Sequence, residues 1–235
     1  GEVGYPGRVT GWRYLGAGGA QEVATDADMP RLVCEPDTLV WRAGMAAWKK
    51  VKEESPSVLI GSPPCTYFSM LQELNIAVHG HKPEWMAKFQ EEKRKATGHI
   101  EFCVELYKYQ LAHGRHFLHE HPWSARSWSL PCVTELMRHP AVEIVQGHMC
   151  RFRMTTHIEH KDGARGLVKK PTGFLSSSRC IRELLNIKCE GGHAHIPLVG
   201  GRAAGAQVYP QALCEAICKG LARQKIEDAS SRVTT

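Results

Sequence analysis

Cys65 and Glu120 are the two side chains of this sequence best suited to covalent chemistry. Cys65 follows a short apolar run, Ser57-Val58-Leu59-Ile60, and a Gly61-Ser62-Pro63-Pro64 turn. Proline pre-sets φ and stiffens a loop, so the thiol is expected to be presented at a strand end rather than packed inside. Beside a helix N-terminus or a cation, such a thiol ionises more readily and becomes a nucleophile. The competing reading is a small apolar side chain in a turn. Glu120 ends the run His116-Phe117-Leu118-His119-Glu120, a strand candidate halted by Pro122. Alternation along a strand puts His119 and His121 on one face and Glu120 on the other, so Glu120 is expected to face the crevice of Cys65. A surface salt bridge is its alternative.

A second group is suited to metal binding. Cys180, Cys189, His193 and His195 follow the pattern Cys-x8-Cys-x3-His-x-His. Four nitrogen and sulfur donors in so short a span could hold zinc, although this is not a standard finger spacing; ordinary loop residues are the alternative. Cys214 and Cys218, spaced i,i+4, read as packing on the last helix. Arg151, Arg153, Arg165, Lys169 and Lys170 could track a phosphate backbone or form a solvated basic face.

The elements that must position these groups are legible mainly between Leu39 and Val145. Trp41, Met45, Trp48 and Val51 fall at steps of 4, 3 and 3, which predicts a helix ended by Pro56. Residues 57–60 predict a buried strand. Trp85, Phe89, Ala96, Ile100, Cys103, Tyr107 and Leu111 fall at steps of 4, 7, 4, 3, 4 and 4, a helical stripe that Gly98 could split and Gly114 stops. Strand 116–120, a short helix at 133–138 and a third strand at 142–145 follow. Alternating strands and helices predict an α/β fold, and right-handed crossovers would make its strands parallel. Chemistry then belongs beyond the strands' carboxyl ends, which gathers Pro63–Thr66, Glu120–Pro122 and Gly147–Arg153 at one edge. Residues 163–178 and 189–205 read as loop-rich. Pro210 opens a last helix carrying Leu213, Ile217 and Leu221 on one face.

Length and composition bound the function classes. With 235 residues, 43% hydrophobic and 23% charged, the chain can bury a substantial core. One domain over residues 1–228 is expected, with a frayed tail at 229–235. The longest apolar runs are a few residues, which excludes a membrane-spanning helix. The first residues lack a basic-then-apolar pattern, so no signal peptide is expected. A net charge of +6 leans towards polyanionic partners. Nine cysteines without paired spacing read as reduced thiols in an intracellular protein, nuclear or cytoplasmic.

A Pro-Pro-Cys loop after one strand and a Glu-containing tripeptide ending the next resemble the cytosine-5 DNA methyltransferases. The closer resemblance runs over most of the chain: Ser62-Pro63-Pro64-Cys65-Thr66-Tyr67-Phe68-Ser69; Gly114 to Pro122 with Ala125 and Ser127-Trp128; Cys150-Arg151-Phe152; Lys169-Lys170-Pro171-Thr172-Gly173-Phe174-Leu175; and Cys189, His193, His195 and Tyr209-Pro210-Gln211-Ala212-Leu213-Cys214. This series is similar to a divergent methyltransferase-like module found in retroelement polyproteins.

The resemblance implies a Rossmann-like methyltransferase fold with a mostly parallel sheet. It implies S-adenosylmethionine as methyl donor and nucleic acid, DNA above all, as partner. Cys65 would attack carbon 6 of a flipped cytosine, and Glu120 would hold and protonate ring nitrogen 3. Arg151 or Arg153 would clamp the pyrimidine or a phosphate. The donor would meet Gly16, Gly18 and Gly19 of Tyr14-Leu15-Gly16-Ala17-Gly18-Gly19, with Asp26 and Pro63 nearby. In the competing alignment, residues 20–25 form the first strand, and Glu22, Asp26 or Asp28 sits near the donor. The chain departs from the family in having Glu120-His121-Pro122 where the family has Glu-Asn-Val. It also lacks a clear Gly-Asn-x-Val near its end, and residues 153–205 are short for a full target-recognition domain. A catalytically degenerate module, binding nucleic acid or a partner inside a larger polyprotein, is therefore the rival expectation.

Overall fold

A computed structural model describes residues 13–16, 19–20, 39–155, 166–198, 206 and 208–233. The elements in chain order are β1 (Arg13–Gly16), β2 (Gly19–Ala20), α1 (Leu39–Glu54), β3 (Val58–Gly61), α2 (Leu71–His79), α3 (Pro83–Ala112), β4 (His116–Pro122), α4 (Pro131–Leu136), β5 (Glu143–His148), β6 (Pro171–Ser176), α5 (Arg179–Leu185) and α6 (Gln211–Val233). They form an α/β protein with a mixed sheet and flanking helices. Two compact units divide the chain: Gly1–Phe117 with Ser124–Pro140, and Leu118–Trp123 with Ala141–Thr235. No helix among the described residues is long and apolar enough to cross a membrane.

In the first unit β1 pairs antiparallel with both β2 and β3. All four residues of β3 are buried. The His116 N–H donates to the Ser57 carbonyl at 2.9 Å, which ties the chain leaving α3 to the residue before β3. A buried glutamine fixes that junction. Gln110 Nε2 donates to the carbonyls of Pro56 and His116 at 2.8 and 3.0 Å, and its Oε1 accepts from Arg115 Nε at 2.8 Å. Buried polar atoms are tolerated when matched in this way, and leaving one unmatched costs about 1–3 kcal/mol.

Helix α3 contributes Ile100, Cys103, Val104, Leu106 and Tyr107 to this unit's apolar core. Tyr107 stacks on Phe117 with ring centroids 4.4 Å apart. Proline opens the helix at its first position, where the missing N–H costs nothing. The helix runs unbroken through Gly98, because the flanking stripe packs and offsets the roughly 1 kcal/mol that an interior glycine costs. Gly114, at φ +64°, ends it in the left-handed conformation that lets the chain turn into β4.

In the second unit the strand order is β4-β6-β5, with β6 antiparallel to both neighbours. This corrects the expectation of a mostly parallel sheet. Residues 171–176, expected as loop, form a strand between β4 and β5, which themselves point the same way. The register sets Pro122 opposite Thr172 and Gly147 opposite Thr172, so β4 and β5 end at one edge of this unit. Gly147 must lack a side chain: a Cβ there would lie 2.8 Å from the Phe174 ring and 2.6 Å from the Leu185 carbonyl oxygen.

Helices α5 and α6 pack together in this unit. Ser178 caps α5, its Oγ accepting from Ile181 N at 3.3 Å and donating to Gln224 Oε1 at 2.9 Å. Leu213, Ile217 and Leu221 bury the inner stripe of α6. Helix α6 extends to Val233. One expectation for α6 is corrected. Cys218 is exposed rather than packed, while Cys214 is half-buried. The eight described cysteines are all free thiols.

Candidate functional site

Cys65 sits in the first unit, four residues past β3, on the loop that the buried Pro63 anchors. Its carbonyl accepts the Phe68 N–H at 3.0 Å, closing a single 3-10 turn over Thr66–Phe68. Phe68 is buried below that turn, whereas the Cys65 side chain is half-exposed. Two prolines before the thiol and a packed aromatic after it hold the backbone while leaving the sulfur accessible. Cys103, in the same unit, is the internal contrast. It is fully buried in α3, and burial pushes its thiol well above the usual range. Thiol alkylation followed by site-resolved mass spectrometry should therefore modify Cys65 in the folded protein and modify Cys103 slower by about a hundredfold or more, because Cys103 must wait for local opening.

Glu120 sits in the second unit, on β4 opposite Phe174. Its side chain is buried, 4% exposed. Lys170 Nζ forms an ion pair with Oε1 at 3.5 Å, and the Tyr209 hydroxyl donates to Oε2 at 3.3 Å. Lys170 comes from the edge where β4 and β5 end: it immediately precedes β6, and its carbonyl accepts the Met149 N–H at 3.1 Å. A buried carboxylate needs such partners to keep its charge. His119 and His121 are also buried, with ring centroids 5.3 Å apart, as expected for i,i+2 neighbours on one strand face.

Arg151 and Arg153 follow β5 on a 3-10 turn, Met149–Phe152. Met149, Cys150 and Phe152 point inward and anchor the turn, while both arginines are exposed. Arg153 adopts φ +60°, a left-handed backbone that closes the turn. The turn follows the end of β5, at the edge of this unit where β4 also ends.

Of the three glycines expected to meet the donor, Gly16 and Gly19 lie among the described residues. Gly16 and Gly19 are ladder partners in the antiparallel β1–β2 pair. Gly18, Asp26 and the alternatives Glu22 and Asp28 lie outside the described residues, as does Arg165.

The Cys/His cluster is present with one member exchanged. Cys150, Cys189, His193 and His195 bring one donor atom each within 4.8 Å of one another, a group that could hold a metal ion. Cys189 Sγ lies 3.6 Å from His193 Nε2 and 3.4 Å from His195 Nε2. Burial, followed by contact with Cys189, pushes the Cys150 thiol up. Burial, followed by the neighbouring His193, pushes His195 down. Cys180 is corrected out of the set. It is fully buried on α5, where its N–H donates to Gln224 Oε1 at 3.2 Å. Cys150 is 39 positions before Cys189, and no spacing rule links the two; only the fold brings them together.

In comparisons with known proteins, no family model, no curated protein and no solved structure matches the chain.

Proposed function

We propose that this chain is a divergent cytosine-5 methyltransferase-like domain acting on nucleic acid, DNA above all, inside a cell and within a larger retroelement-type polypeptide. Cys65 is its nucleophile and Glu120 its acid. The block resemblance suggests the reading, and one structural observation supports it above others. Glu120 is a carboxylate withdrawn from water yet held by Lys170 and Tyr209 at the edge where β4 and β5 end. Ionisable groups arranged in this way are more common at working sites than elsewhere.

In this reading the Cys65 thiolate adds to carbon 6 of a cytosine that has left the base stack. Glu120 protonates ring nitrogen 3, so the ring accepts the new bond without accumulating charge and carbon 5 becomes enamine-like. Arg151 or Arg153 holds the pyrimidine or an adjacent phosphate, as exposed guanidinium groups do well. S-adenosylmethionine supplies an electrophilic methyl group when bound, and zinc is the metal suited to the Cys/His cluster.

A second reading is favoured by the chain's departures from the family, Glu120-His121-Pro122 in place of Glu-Asn-Val above all. It is a catalytically degenerate module that binds nucleic acid or a partner. Calorimetric titration of the folded chain with S-adenosylmethionine separates the two. The methyltransferase reading predicts saturable binding, and its absence in folded protein favours the binding module.

A further inference from the structure

We propose that Cys150, Cys189, His193 and His195 bind one Zn2+ in a closed tetrahedral centre that pins residues 189–195 to the turn bearing Arg151 and Arg153. The inference stands independently of the methyl-transfer reading, because all four residues and both arginines belong to the second unit.

The distances carry the argument. Zinc–sulfur bonds of about 2.3 Å and zinc–nitrogen bonds of about 2.05 Å at a tetrahedral angle separate sulfur from nitrogen by about 3.6 Å. Cys189 Sγ lies 3.6 and 3.4 Å from the two imidazole Nε2 atoms. Those two separations match edges of a zinc tetrahedron, and all four donor atoms, that of Cys150 included, lie within 4.8 Å of one another. Two soft thiolates and two imidazoles select zinc over magnesium or calcium, which prefer oxygen. Two thiolates also neutralise the ion, so a partly buried site carries no net charge from it.

The surroundings of Cys189 match a metal thiolate. The Gly191 N–H points to Cys189 Sγ at 3.4 Å, a bond that stabilises a ligating sulfur. Gly191 and Gly192 take φ of +97° and +80°, turning the chain so that His193 and His195 come back to Cys189. The Cys189 N–H is itself fixed by His148 Nδ1 at 2.9 Å, and the Ile196 N–H by the Leu167 carbonyl at 2.9 Å. Between those anchors Cys150, buried on its turn, lies against the loop with its donor atom within 4.8 Å of those of Cys189, His193 and His195. Four protein ligands leave no open position, so the centre is structural rather than catalytic.

The test is metal analysis of the full chain, purified without chelator, with cobalt(II) substitution as the second measurement. The expected result is about one zinc per chain, as a closed four-ligand site holds. Cobalt-substituted protein should show the strong visible bands and sulfur-to-metal charge transfer of tetrahedral thiolate coordination. Cys189→Ser and His193→Ala should lose the stoichiometric metal. Cys180→Ser should keep it, which separates the folded ligand set from the one that sequence spacing favours. A folded wild-type chain that takes up neither zinc nor cobalt overturns the proposal. So does retention of a full equivalent in Cys189→Ser, or octahedral cobalt spectra lacking charge transfer. The wild-type cobalt spectrum decides the matter even if a ligand variant fails to fold.

Discussion

Replacing Cys65 with serine is expected to abolish methyl transfer while leaving the fold nearly intact. A serine hydroxyl is almost wholly protonated near neutral pH and is a far weaker nucleophile than a thiolate, so the covalent step should slow by about 10^4-fold or more. Stability should barely change. Cys65 is half-exposed, serine is close to it in size, and the loop is set by Pro63, Pro64 and the backbone bond from Phe68 N–H to the Cys65 carbonyl. The check is transfer of labelled methyl groups to nucleic acid beside a thermal melt of the same protein. A variant that melts like the wild type but transfers nothing fits the nucleophile assignment. A variant that still methylates at a substantial fraction of the wild-type rate removes it.

Glu120→Gln is expected to slow transfer by about 10^2- to 10^4-fold, the usual worth of a positioned general acid. The amide is isosteric: its oxygen can accept from Lys170 while its Nε2 donates to the Tyr209 hydroxyl oxygen, so the local structure should persist. It cannot deliver a proton to ring nitrogen 3. Binding of nucleic acid should fall much less than turnover, because Arg151, Arg153 and Lys169 remain exposed to meet phosphate. Equilibrium binding measured alongside single-turnover kinetics reads the two effects separately. Equal losses in both would make Glu120 a structural group whose ion pair matters more than its proton.

Sequence periodicity identified α1, β3, α3 and β4 because each announces itself locally. The stripe from Trp85 to Leu111 and the punctuation by Pro56, Gly114 and Pro122 need no tertiary partner to be read. β6 was hidden by its composition. Pro171 at its start and Gly173 inside it are poor strand formers, tolerated because β4 and β5 supply partners on both sides. α2 was hidden for the opposite reason: Leu71, Leu74 and Val78 are apolar but exposed, so no one-sided stripe marks the helix. In the candidate site, the strand-end positions of Cys65 and Glu120 were readable from short runs and prolines. The partners of Glu120 were not, since Lys170 and Tyr209 lie 50 and 89 positions away. The metal set failed in the same manner. Cys180 is near in sequence but buried in a helix, whereas Cys150 is distant in sequence and adjacent in space.

The most direct test of the covalent assignment is mechanism-based trapping. Nucleic acid carrying 5-fluorocytosine, incubated with the chain and S-adenosylmethionine, should leave a stable protein–nucleic acid adduct, because fluorine blocks the elimination that releases the thiol. Peptide mapping should place the link on Cys65, and Cys65→Ser should give none. If the wild-type chain binds both donor and nucleic acid yet forms no adduct, and Cys65 alkylates no faster than Cys103, Cys65 is not a nucleophile and the domain is a binding module.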